Sequence, residues 1–139
     1  MIGVVVVTHG QLATELVNST ETIVGDLPRF AAVSIGWHED THDARAELEQ
    51  AIGRVEQGQG VLILTDMFGG TPSNLAMTFL AGNNVEVITG VNLPMLIKLA
   101  SLVETSDLLT AARELRDSGR NAIWVASDLL RGDRGEERR

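Results

Sequence analysis

Apolar and polar positions divide the chain into short aliphatic runs separated by longer stretches with helical spacing. Residues 2–8, IGVVVVT, are apolar almost without interruption, which predicts a strand covered on both faces of a parallel sheet. Over 11–24, Leu12, Leu16, Val17 and Ile23 stand at helical spacing. The same reading predicts strands at 30–35, 61–65 and 85–89, and helices at 39–55, 72–80 and 106–117. A short helix is expected from Pro94, and a last strand at 122–126, where Ile123 and Val125 alternate with Trp124 and Ala126. Strand and helix alternate along one chain, so the predicted class is α/β: an open, mainly parallel sheet with helices on both faces.

Two of these strands end in residues able to do chemistry. Open α/β sheets bind ligands beyond the carboxyl ends of their strands, and the first run delivers Thr8 and His9 there, directly into Gly10 and a helix start. The positive end of a helix favours an anion at that place. The third run, VLILT, delivers Asp66, then Gly69 and Gly70, then Thr71 and Pro72. Pro72 suits a first helical turn and Thr71 the N-cap before it. The paired glycines allow backbone N–H groups close to an oxyanion. Each feature alone has an ordinary explanation: a solvated histidine, a turn acid, a tight turn. On one sheet edge they make an imidazole, a carboxylate that can fix its tautomer, and a glycine-rich helix entry, which together suit a phosphoryl group.

With THG after the first strand, LTDMFGGTPSN around the end of the third and GVNLPML at 90–96, the chain resembles the mannose-type enzyme IIA component of the bacterial phosphoenolpyruvate:sugar phosphotransferase system. The resemblance spans about residues 1–127, and its three motifs each adjoin a predicted strand end. A sister family, the phosphotransfer subunit of dihydroxyacetone kinase, shares the early histidine but differs after the third strand. The resemblance implies a sheet of about four parallel strands in the order 2-1-3-4, with 122–127 adding antiparallel to a partner's sheet in a swapped homodimer. It implies that His9 is phosphorylated on Nε2 by phospho-HPr and passes the group to a IIB component, with membrane IIC and IID partners reached only indirectly. Asp66 would orient His9. Thr8, Gly69, Gly70 and Thr71 would hold the phosphoryl group, and Met67, Phe68, Asn92, Pro94 and Met95 would wall the site. No cofactor or metal is expected in this scheme. Such proteins serve either sugar uptake or regulation by their phosphorylation state, and both uses stay open.

Composition narrows the picture further. A chain of 139 residues with 44% hydrophobic residues reads as one domain over 1–130, followed by a charged tail, RGDRGEERR, expected to be disordered. A net charge of −8, with Lys98 as the one lysine, argues against nucleic-acid binding. The lack of cysteine removes disulfide and thiol chemistry. The first apolar run is too short to span a membrane and lacks the marks of a secretory signal, so no membrane insertion and a cytoplasmic location are expected. His38-Glu39-Asp40-Thr41-His42 matches the H-E-x-x-H zinc pattern literally. Its place at an expected helix start explains the acids as complements to the helix dipole, and outside the pattern His9 is the one histidine left to serve as a third ligand.

Overall fold

In the computed structural model, which describes residues 1–36, 40–80, 84–102 and 107–132, the apolar runs become β1 (Gly3–His9), β2 (Phe30–Ile35), β3 (Val61–Thr65) and β4 (Val85–Thr89). They form one parallel sheet in the order β2-β1-β3-β4, with Val7 paired to Val33 on one side and to Thr65 on the other. Between and after them lie α1 (Leu12–Val24), α2 (Thr41–Val55), α3 (Thr71–Met77), α4 (Leu93–Ala100), α5 (Leu108–Asn121) and α6 (Ala126–Leu130).

Successive side chains of a strand point to opposite faces, and the core divides accordingly. Val4, Val6, Leu62 and Leu64 meet α1, α4 and α5 through Val17, Leu96 and Leu115. Val5, Val7 and Ile63 meet α2 and α3 through Leu48 and Leu75. Both layers cover β1 and β3, which is why these two strands carry no polar alternation. Each such buried aliphatic side chain contributes about 1.5–3 kcal/mol relative to exposure. At the amino edge of the sheet the buried Arg29 donates to the carbonyls of Ile2 at 2.9 Å and Leu99 at 2.7 Å, tying the entry of β1 to the last turn of α4. A cation there complements the exposed carbonyls of a helix end.

The helix boundaries depart from the sequence expectation in informative ways. Over 72–80 the α-helix stops at Met77, and Thr78, Phe79 and Leu80 continue it with tighter i→i−3 bonds. The helix expected to end at 117 runs on to Asn121 through Gly119. A Cβ at Gly119 would stand 2.6 Å from Met95 Sδ, so the missing side chain lets α4 and α5 approach. The larger correction is at 122–126. No strand forms there: Ala122 closes α5, residues 123–125 belong to neither helix nor strand, and α6 follows. A strand exists only through its ladder, and here the Ile123 N–H bonds locally to the Arg120 carbonyl instead. Ile123 and Val125 are left 69% and 67% exposed. In the single chain the sheet is therefore wholly parallel. Of the expected tail, Arg131 and Gly132 form a turn after α6, and 133–139 lie outside the described residues.

Candidate functional site

Because β1 and β3 are hydrogen-bonded neighbours in register, their carboxyl ends bring His9 and Asp66 together. Asp66 Oδ2 accepts from His9 Nδ1 at 2.8 Å and from the His9 backbone N–H at 3.1 Å. Its other oxygen accepts the Met67 N–H at 3.1 Å. One carboxylate thus holds both the ring and the backbone of the histidine. A carboxylate oxygen can only accept, so the ring nitrogen facing it carries the hydrogen, and the lone pair of the neutral ring falls to Nε2. The His9 side chain is 39% exposed against 16% for Asp66, so the ring is reachable while its orienting partner is shielded.

Nε2 faces the glycine turn. Gly70 has φ +91°, in the region that favours glycine, and a Cβ there would lie 3.0 Å from Nε2 and 3.1 Å from Cε1 of His9. Gly70, not Thr71, is the N-cap of α3: Thr71 and Pro72 are its first two helical residues, and Thr71 is exposed beside the turn. The N–H groups at such a start have no partner four residues back within a helix. Ser73, which sequence reasoning passed over, is fully buried and closes the turn. Its Oγ accepts the Gly69 N–H at 2.9 Å and donates to the Gly70 carbonyl at 3.3 Å. A serine four residues after a glycine-glycine turn begins is a signal for such a local side-chain bond.

Several expected site residues are employed elsewhere. Thr8 is fully buried, and its hydroxyl accepts the Ala13 N–H at 2.7 Å and donates to the His9 carbonyl at 3.1 Å. It satisfies the first turn of α1, where Gln11 supplies no side-chain cap, and does not present its oxygen to a ligand. Asn92 caps α4 through the Met95 N–H at 3.2 Å and donates to the Gly119 carbonyl at 3.1 Å. Met95 is 2% exposed and packs on Gly119. Those two residues lock α4 to α5 rather than wall the histidine. Pro94 is exposed in the first turn of α4. The loop does start near the site, since the Val91 N–H bonds to the Thr65 carbonyl at 3.0 Å. Met67 and Phe68, 54% and 73% exposed, stand on the rim just after Asp66.

Of the zinc-like run, Asp40 caps α2 by accepting the His42 N–H at 2.9 Å, while His38 and Glu39 lie outside the described residues. Among the described residues no group of three or more His, Asp or Glu side chains could hold a metal ion. No described helix is long and apolar enough to cross a membrane. Away from His9, a groove of about 430 Å³ lies along the β4 edge, lined by Glu86, Thr89, Leu109, Arg113, Arg116 and Ile123 among others.

Comparison with known proteins bears on the family and the fold. The family model described as "PTS system fructose IIA component" matches residues 3–115. The fructose-specific EIIA component of Bacillus subtilis is 31% identical over 131 residues, 94% of this chain and 90% of that protein. The mannose-specific EIIAB component of Escherichia coli is 30% identical over 98 residues, 70% of this chain but 30% of that longer protein. Among solved structures, the mannose/sorbose-specific IIA subunit of Enterococcus faecalis superposes with a TM-score of 0.80 at 31% identity, covering 89% of this chain and 93% of that one. The crystal structure of an EIIA component from Streptococcus agalactiae gives a TM-score of 0.81 at 24% identity, which speaks for the fold alone.

Proposed function

Since the chain belongs to the mannose-type EIIA family of sugar phosphotransferase systems, we propose that it accepts a phosphoryl group from phospho-HPr on His9 Nε2 and hands it to a IIB component in the cytoplasm. The observation that carries this reading is the 2.8 Å bond from His9 Nδ1 to Asp66. It puts the ring hydrogen on the nitrogen away from Gly70 and the lone pair on the nitrogen beside it. The Nε2 lone pair forms a bond to phosphorus while the donor's N–P bond breaks, its electron pair returning to the donor ring. The Nδ1 proton stays between the ring and Asp66. The phosphorylated ring is then a cation held against a carboxylate, which stabilises the intermediate and keeps it transferable. Donor and acceptor are both nitrogen-phosphorus bonds, so the exchange requires little driving force in either direction. Thr71 and the Gly70 backbone N–H would meet the phosphoryl oxygens, and Met67 and Phe68 supply an apolar rim for the protein partners. The test is incubation with phosphoenolpyruvate, enzyme I and HPr: acid-labile phosphate is expected on the wild type and none on His9→Ala. Phosphate persisting on the alanine variant would overturn the assignment.

The reading extends to a homodimer in which 122–127 of one chain pairs with the β4 edge of another. The supporting observations are the exposed Ile123 and Val125 and the open groove along β4. An unpaired sheet edge such as β4 beside an exposed apolar segment is otherwise an aggregation hazard. Truncation before Ala122 is expected to give monomers by light scattering, and truncation after Leu130 to leave dimers. A dimer that survives the first truncation would exclude the exchange.

A further inference from the structure

Gly69 and Gly70 are consecutive residues at φ +93° and +91°. Two adjacent glycines have more conformations to lose than any other pair, so the backbone alone does not hold this shape. The turn nevertheless has to be held closely, because Gly70 is where even a single added carbon would come within 3.0 Å of His9 Nε2. What restrains it is the buried hydroxyl of Ser73, which bonds to Gly69 on one side and Gly70 on the other. Asp66 orients the ring from the Nδ1 side, and a separate device sets the space on the Nε2 side.

We propose that Ser73 is a positioning residue for phosphoryl transfer: it fixes the Gly69–Gly70 backbone so that the space beside His9 Nε2 fits a phosphoryl group. The inference rests on the reading that His9 is the acceptor. Ser73 touches neither the ring nor the transferred group, and acts through the turn. Loss of its hydroxyl frees the turn to sample shapes in which Gly70 crowds Nε2 or its N–H points away. The rate of the chemical step falls, while donor docking, which depends on the exposed rim, does not change.

The experiment compares wild type, Ser73→Ala and Ser73→Thr with two donors. One is phospho-HPr. The other is phosphoramidate, whose already protonated nitrogen leaves as ammonia when the Nε2–P bond forms, and which needs no protein docking. Ser73→Ala is expected to lower kcat by between about tenfold and a hundredfold, with KM for phospho-HPr unchanged and the phosphoramidate rate lowered by the same factor. The Nδ1 proton resonance of His9 should stay in place, and Ser73→Thr, which keeps the hydroxyl, should recover most of the rate. Wild-type rates for Ser73→Ala, or an effect confined to KM, would overturn the role of Ser73 while leaving His9 untouched. A wild-type chain that takes phosphate from neither donor would instead overturn the reading of His9. If the serine variants fail to fold, amide resonances of the wild type decide. Phosphorylation is expected to shift Gly69 and Gly70 strongly, and resonances that stay in place would overturn the proposal.

Discussion

After β1 the chain turns through His9 and Gly10 into α1, and the buried Thr8 hydroxyl accepts the Ala13 N–H at 2.7 Å. After β3 it turns through Asp66 and the two glycines into α3, and the buried Ser73 hydroxyl accepts the Gly69 N–H at 2.9 Å. Both junctions use a buried hydroxyl to take a backbone donor, but in opposite directions: Thr8 reaches forward to a first-turn N–H of α1, and Ser73 reaches back from the first turn of α3 to an N–H ahead of its N-cap. They differ in what the device holds. The first turn fixes a helix to the strand that carries His9. The second holds the glycine turn beside the His9 ring, and its carboxylate bonds to that ring. His9 and the groups around its ring therefore come from neighbouring strands, and their geometry depends on the register between β1 and β3.

The largest effect expected within this comparison is at Asp66. Asp66→Asn should fold normally but slow phosphoryl acceptance by about 10²- to 10⁴-fold, because an amide can present its donor to the ring and select the wrong tautomer, and it stabilises the phosphorylated cation less. Quench-flow with phospho-HPr measures it, and unchanged kinetics would remove Asp66 from the mechanism. At the first junction the effect should fall on stability instead. Thr8→Val removes the acceptor of the Ala13 N–H and should cost about 1–3 kcal/mol in urea denaturation, with the transfer rate of the folded protein unchanged. A variant of normal stability that transfers slowly would return Thr8 to the phosphoryl site.

The smallest effect is expected at an exposed cap that neither junction uses. Asp107 caps α5 through the Thr110 N–H, and that hydrogen bond holds its carboxyl below the usual carboxylate range. A group whose folded pKa is depressed adds stability above its unfolded pKa and loses it as pH falls through the folded value. Asp107→Ala should therefore be slightly less stable than wild type at neutral pH and equal to it once the carboxyl is protonated, with transfer unaltered at neutral pH. A stability difference that persists in acid would show that the contact is not electrostatic.

The sheet was legible because β1 and β3 are buried on both faces, a condition that leaves an uninterrupted aliphatic run and no other reading of residues 2–8 or 61–65. His9, Asp66 and Gly70 were legible because strand ends and glycine turns punctuate such runs. Thr8 and Asn92 were misplaced for a shared reason: sequence puts a polar side chain near the site but not on one side of its own backbone, and both turn inward to cap a helix. Ser73 was missed because its partners are backbone groups and its one mark in the sequence is spacing, a serine four residues after the glycine pair begins. The 122–126 segment has the alternation of a strand, yet a strand is a property of a pair, and composition does not supply the second member.

Asp66 is expected to commit the Nδ1 of His9 to its hydrogen and to leave Nε2 to phosphorus. With ¹⁵N-labelled histidine, spectra of the protein before and after phosphorylation test it directly. One phosphorus bonded to Nε2 of His9 is expected, with the Nδ1 hydrogen retained throughout. Phosphorus on Nδ1, or phosphate incorporated with the His9 ring resonances unmoved, would contradict it.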